Sequence, residues 1–132
     1  MTYAHATIDT ARYAVRIEAG GHKIVADEPP SNGGADAGPA PYDLLLMSLA
    51  ACTAITLRMY ADRKQWDMRA LTVHLHYTRG ETGTEHIDRI LRLEGDLSPE
   101  QRARIADIAE RTPVTLTLKT GLSIATTLAP SA

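Results

Sequence analysis

The chain has no phenylalanine, one tryptophan and one cysteine in 132 residues. A single cysteine cannot close an internal disulfide, so no disulfide framework staples the fold, and the reducing cytoplasm is the expected compartment. Five tyrosines and one tryptophan are the only aromatics, which leaves no stacking platform for nucleic-acid bases. The net charge is −2 and the Lys and Arg residues are dispersed, so no basic stripe marks a nucleic-acid partner. No uninterrupted apolar run reaches the roughly 20 residues that cross a bilayer. The opening Met1-Thr2-Tyr3-Ala4-His5 lacks the basic-then-apolar order of a signal peptide. What the chain does have is aliphatic: 44% hydrophobic against 23% charged residues, ordinary for one soluble domain spanning 1–132 with an aliphatic core.

Periodicity gives the elements. Tyr13, Val15 and Ile17 alternate with Ala14, Arg16 and Glu18, which is the period of a half-buried strand. Gly20-Gly21 then suits a tight turn into a return strand over His22–Ala26. A further strand is expected between Tyr3 and Ile8. Asp27 to Ala40 is punctuated by Pro29-Pro30, Gly33-Gly34, Gly38 and Pro39 and reads as a long loop, a length that often accompanies function. Pro41 fits a first helical turn, and strong helix formers run on to about Lys64. Between Leu44 and Leu57 that helix is apolar nearly all round, which predicts burial on most sides, by two sheets or by a sheet and a second subunit.

Two strands follow. One carries Leu71, Val73, Leu75 and Tyr77 on one face, and the other carries Ile87, Leu91 and Leu93 against Asp88, Arg92 and Glu94. Ser98-Pro99-Glu100-Gln101 has the makings of a capped helix start. Pro113 disfavours helix at Thr112 and ends that helix. Val114–Leu118 is ambiguous between a strand and a short helix, and Leu122–Leu128 reads as a last strand. The order has no regular βαβ alternation, so the fold class is α+β.

Three features bear on chemistry. Cys52 lies eleven residues after Pro41, roughly 16 Å along the axis, beyond the field at that helix's own N-terminus. Activating it as a thiolate therefore requires a group from another element, and an arginine is the natural one. Its helical neighbours Ser48, Leu49, Ile55 and Thr56 make a mostly apolar surrounding, so the residues alone leave two readings open, a buried structural cysteine or a reactive thiol. His74 and His76 have a spacing that can share a metal, with Glu85 and His86 nearby. With no third ligand fixed they read as an exposed polar face, and no metal or cofactor is expected. Adjacent Asp27 and Glu28 read as solvated turn carboxylates.

Asp27-Glu28-Pro29, Gly33-Gly34-Ala35-Asp36-Ala37-Gly38-Pro39-Ala40-Pro41, Leu44-Leu45-Leu46 and Ala50-Ala51-Cys52-Thr53 together resemble the OsmC/Ohr family. So do Met59–Lys64 and Ile108-Ala109-Glu110-Arg111-Thr112-Pro113-Val114, and the likeness spans nearly the whole chain. The resemblance implies an intertwined homodimer in which antiparallel sheets from both chains wrap long, buried central helices. It implies a thiol-dependent peroxidase for organic hydroperoxides, with Cys52 as the nucleophile and an external thiol as reductant. The second, resolving cysteine of such proteins falls on Thr112, which cannot form a disulfide. An oxidised Cys52 must then be resolved by an outside thiol or proceed to higher oxides. The family's activating Glu falls on Tyr42; the neighbouring Asp43 lies about 180° around the helix from Cys52 and is a poor substitute. Arg12 and Arg16 are the candidates for the activating Arg. Tyr42, Ser48, Leu49 and Thr56 are the expected pocket lining. The alternative is an inactive OsmC-fold protein that binds a small ligand at its dimer interface.

Overall fold

A computed structural model describes residues 2–130, which divide after Met47 into two compact units. The N-terminal unit is a three-stranded antiparallel sheet in the order β1 (Ala4–Thr7), β2 (Val15–Ala19), β3 (His22–Ala26). Gly20 and Gly21 make the β2–β3 turn at φ of 58° and 79°, a pair of left-handed conformations that L side chains resist. All three strands lie where the alternation and turn chemistry put them.

The loop from Asp27 to Ala40 is ordered by its first residue. Asp27 is buried rather than solvated, which corrects the expectation for that carboxylate. It accepts the backbone N–H groups of Glu28 at 2.7 Å, Ala35 at 3.2 Å and Ala37 at 3.1 Å. The chain wraps so closely here that a Cβ on Gly34 would run into the Glu28 carbonyl oxygen. The N–H of Ala37, followed by those of Glu28 and Ala35, holds the Asp27 carboxyl below its ordinary value, with burial working in the opposite direction. A lowered folded-state pKa stabilises the loop fully above the unfolded value of about 3.9 and loses that contribution as pH falls through the folded value. Amide exchange at Ala35 and Ala37 is therefore expected to accelerate in Asp27→Ala at neutral pH, and in the wild type only on acidification. Unchanged protection in the variant would remove Asp27 as the organiser of this loop.

In the C-terminal part, α1 (Pro41–Lys64) has the expected length of 24 residues. It closes with Gln65 in the left-handed region at φ 58° and Trp66 N–H donating back to Ala61 O, a Schellman-type end. The hairpin β4 (Ala70–Arg79) and β5 (Glu85–Glu94) is in register from Ala70 opposite Glu94 to Arg79 opposite Glu85. Next comes α2 (Pro99–Ala109), whose Ser98 and Gln101 form the anticipated reciprocal capping box. The chain then enters α3 (Pro113–Thr120), which decides the ambiguous 114–118 stretch in favour of helix. The core of this unit gathers Leu57 and Ala61 of α1, Met68, Leu97, and Ile105 and Ala109 of α2, with Leu71, Leu91 and Leu93 of the hairpin against it.

One expectation changes. Residues 121–130 have no regular structure, so the last strand expected at Leu122–Leu128 is not formed. A strand needs a ladder partner for its N–H and C=O groups, and no described strand pairs with this segment. Leu122, Ile124 and Leu128 are 73%, 86% and 96% exposed. Helix α1 is long and apolar enough to cross a membrane by length and composition alone. Within the chain it is buried along one stripe, Leu49, Thr53, Leu57 and Ala61, and not on most sides. The opposite stripe, Met47, Ala51, Ile55 and Met59, is exposed.

Candidate functional site

Cys52 sits in the middle of α1, one residue before the buried stripe position Thr53, and is half-buried. The nearest polar atom from its own helix is Thr56 Oγ1, 3.9 Å from Sγ. The stronger contact comes from α3, where the backbone N–H of Val114 donates to Sγ at 3.4 Å. Thr112 is the N-cap of α3, with Pro113 and Val114 its first two helical residues. The Val114 N–H is therefore one of the amides that a helix start leaves without an intrahelical acceptor. A free N–H and the positive end of a helix dipole together favour negative charge at whatever they face. The helix terminus that reaches the thiol belongs to α3, not to α1.

A cation holds the residues that follow the two partners of this contact, Thr53 and Thr115. Arg89 projects from β5 with its side chain 13% exposed. Its Nη1 donates to Thr53 Oγ1 at 3.0 Å and to Thr115 Oγ1 at 2.9 Å, and its Nη2 donates to Ala109 O at 2.7 Å and Glu110 Oε2 at 3.1 Å. Thr53 also donates to Leu49 O at 2.7 Å, an i−4 back-bond that leaves its oxygen free to accept from Arg89. Thr112, fully buried, shares a hydrogen bond with Thr115 through their hydroxyls at 2.6 Å. No buried side-chain polar atom among the described residues lacks a partner, so the network is complete.

The expected site residues fall into several places. Cys52, Thr56 and Leu49 belong to one helix around the sulfur, and the Leu49 carbonyl holds Thr53. Thr112, at the resolving position, is brought into the Arg89 network through Thr115. Ser48 and Tyr42 are exposed on α1. Asp43 accepts from the Ala40 N–H at 3.0 Å and so serves the start of the helix. Arg12 and Arg16 lie in the N-terminal unit. Arg16 pairs with Asp9 at 3.1 Å, and Arg12, at φ 50°, has its guanidinium 5.8 Å from the Tyr13 ring centre. A shallow concavity of about 380 Å³ on that unit's sheet is lined by Arg16 with His5, Glu18, Lys23, Ile24 and Val25, and by none of the residues around Cys52.

His74 and His76 lie on the exposed face of β4, and His86 pairs with Asp88 at 2.9 Å on the same face of β5. No group of three metal-ligating side chains is assembled among the described residues.

Sequence reasoning did not single out Arg89, Thr53, Thr115 or the Val114 amide. A signal for Arg89 was present. Ile87, Leu91 and Leu93 face the core, and position 89 shares their parity, so an arginine there points inward and needs buried partners. The Val114 amide could be found only by deciding that 113–120 is helical.

A long helix carrying a thiol at mid-length, beside an antiparallel hairpin and with the start of a short helix facing the sulfur, defines an α+β thiol-bearing fold. The model of the family described as OsmC-like protein matches residues 33–127, and the chain belongs to that family. No curated protein matches the sequence. Among solved structures, an OsmC-like protein from Mycoplasma pneumoniae aligns at 20% identity over 90% of this chain and 87% of its own, with a TM-score of 0.76. An organic hydroperoxide resistance protein OsmC from Legionella pneumophila aligns at 18% identity over 90% of this chain and 89% of its own, with a TM-score of 0.66. An organic hydroperoxide resistance protein from Elizabethkingia anophelis, with thiocyanate bound, aligns at 16% identity over 83% of this chain and 81% of its own, with a TM-score of 0.59. At such identities these likenesses establish the fold.

Proposed function

We propose that this chain is an OsmC-like thiol-dependent peroxidase that reduces organic hydroperoxides through Cys52 alone, with an external thiol as reductant, in a reducing cytoplasm. The observation that carries the reading is the Val114 N–H at 3.4 Å from Sγ, at the start of α3, where negative charge on sulfur is stabilised. The Cys52 thiolate attacks the terminal oxygen of the hydroperoxide. The S–O bond forms as the O–O bond breaks, and the alkoxide leaves and takes up a proton to become the alcohol. The sulfur is now a sulfenic acid. With Thr112 in the resolving position, a small thiol attacks that sulfur and displaces water, and a second thiol then releases Cys52 and the external disulfide.

One equivalent of cumene hydroperoxide tests this step by intact mass. A sulfenic acid at Cys52, captured as a mixed disulfide by added thiol, is the expected product. An unmodified thiol after complete mixing would end the peroxidase reading. The second reading, an inactive protein that holds a small ligand at a subunit interface, draws support from Thr112, which deprives the site of its second sulfur. Its sign would be thermal stabilisation by a ligand without hydroperoxide consumption.

The partner in either case is a second copy of this chain. The exposed apolar stripe of α1 and the exposed Leu122, Ile124 and Leu128 support that assignment, since apolar surface left uncovered by its own chain is what a subunit interface covers. Sedimentation at micromolar concentration is expected to give twice the 14.3 kDa chain mass. A folded monomer there would count against the assembly.

A further inference from the structure

We propose that Arg89 is the positioning residue of the Cys52 site, holding the α3 start and the α1 thiol in the register that lets the Val114 N–H meet Sγ. This rests on reading Cys52 as a reactive thiol, and it assigns the role to a residue that acts through Thr53 and Thr115. The argument lies in what each end of the guanidinium holds. Nη1 grips Thr53 Oγ1 at 3.0 Å and Thr115 Oγ1 at 2.9 Å. Thr53 is the residue after Cys52, and Thr115 is the residue after Val114. One nitrogen therefore ties together the immediate neighbours of both partners in the N–H···S contact, across α1 and α3. Nη2 holds the other side of the same joint. It bonds the last carbonyl of α2, Ala109 O, at 2.7 Å and the Glu110 carboxylate at 3.1 Å, fixing the turn that leads into Thr112.

The chemistry of arginine suits this task. Its donors lie in a rigid planar fork and reach four acceptors on three helical segments and a linker, where an ammonium is a single point of charge. The cation also meets a carbonyl at the C-terminus of α2, the end of a helix dipole that favours positive charge. Thr112 adds a further brace, because its hydroxyl meets that of Thr115 at 2.6 Å inside the protein. At the position where the family resemblance puts a second sulfur, this chain has a hydroxyl that joins the Arg89 network.

A purely structural arginine and a positioning arginine predict opposite results for Arg89→Lys. Loosening a structural joint exposes the half-buried thiol and raises its rate of alkylation by iodoacetamide. Losing the register removes the donor from sulfur and lowers that rate. The experiment measures native-state alkylation of Cys52 at pH 7 together with the ¹H–¹⁵N resonance of Val114, in the intact protein and in Arg89→Lys. The expected result is slower alkylation with the Val114 amide shifted upfield, towards its position in Cys52→Ala. Alkylation at or above the wild-type rate with an unmoved Val114 amide would overturn the proposal. Should Arg89→Lys fail to fold, Thr115→Val removes one acceptor on the α3 side and must show the same two changes, or the proposal falls. Neither readout uses a hydroperoxide. A shifted amide in a protein that consumes none would therefore support the positioning role while the peroxidase reading failed by itself.

Discussion

Ile105→Ala is expected to lower the unfolding free energy by about 2–5 kcal/mol, the ordinary range for emptying a fully buried isoleucine site. Ile105 is 0% exposed and lies at the centre of the cluster formed by Leu57, Ala61, Met68, Leu97 and Ala109. Its neighbours come from α1, the hairpin and α2, so no single element can move in to fill the space. A change of that size is a large part of the stability of a small domain. Urea titration at one fixed protein concentration would register it as a lower midpoint with an unchanged slope, the fixed concentration removing any effect of subunit exchange. A loss below about 1 kcal/mol would place Ile105 outside the core described here.

Most of the fold was legible because its local signals agree with its tertiary contacts. Gly20-Gly21, the capping box of Ser98 and Gln101, and the period-2 alternation of the hairpin are short-range devices that work wherever they occur. The failures lie where the deciding interaction is remote. Leu122–Leu128 alternates like a strand, but a strand exists only with a partner, and no described strand supplies one. Val114–Leu118 reads equally as strand or short helix, and with Pro113 at the first helical position it forms α3. For α1, the composition announces a helix apolar all round, while only the contacts reveal which stripe its own chain covers.

The site divides in the same way. Cys52 was found by its uniqueness and by the family pattern around it, and Thr112 by its place before Pro113. The Val114 amide was hidden, because a backbone N–H has no sequence signature and points at the sulfur only once α3 forms. Arg89 is legible in principle, since an arginine among Ile87, Leu91 and Leu93 on the inward face of a strand is a buried charge that requires partners. Asp27 shows the reverse case. It was noticed as half of an acidic pair and dismissed as solvated, while its carboxylate accepts three amides ahead of it in the chain.

The second large effect belongs to Cys52, and it follows from the count of thiols. With one cysteine in the chain and Thr112 where a resolving thiol would stand, no other thiol can take an oxygen atom from a hydroperoxide and pass it on to the reductant. Replacing Sγ by a hydroxyl keeps the size of the side chain, and the Val114 N–H can still donate to it, so the fold should survive. An alcohol at neutral pH is a weak nucleophile towards peroxide oxygen. Activity and stability should therefore separate in Cys52→Ser, with the same unfolding midpoint and no catalysis. The measurement is the consumption of cumene hydroperoxide with dithiothreitol as reductant, for wild type and Cys52→Ser side by side. The account predicts turnover by the wild type and, for the variant, only the rate of the reagents alone. Equal rates for the two proteins would contradict it.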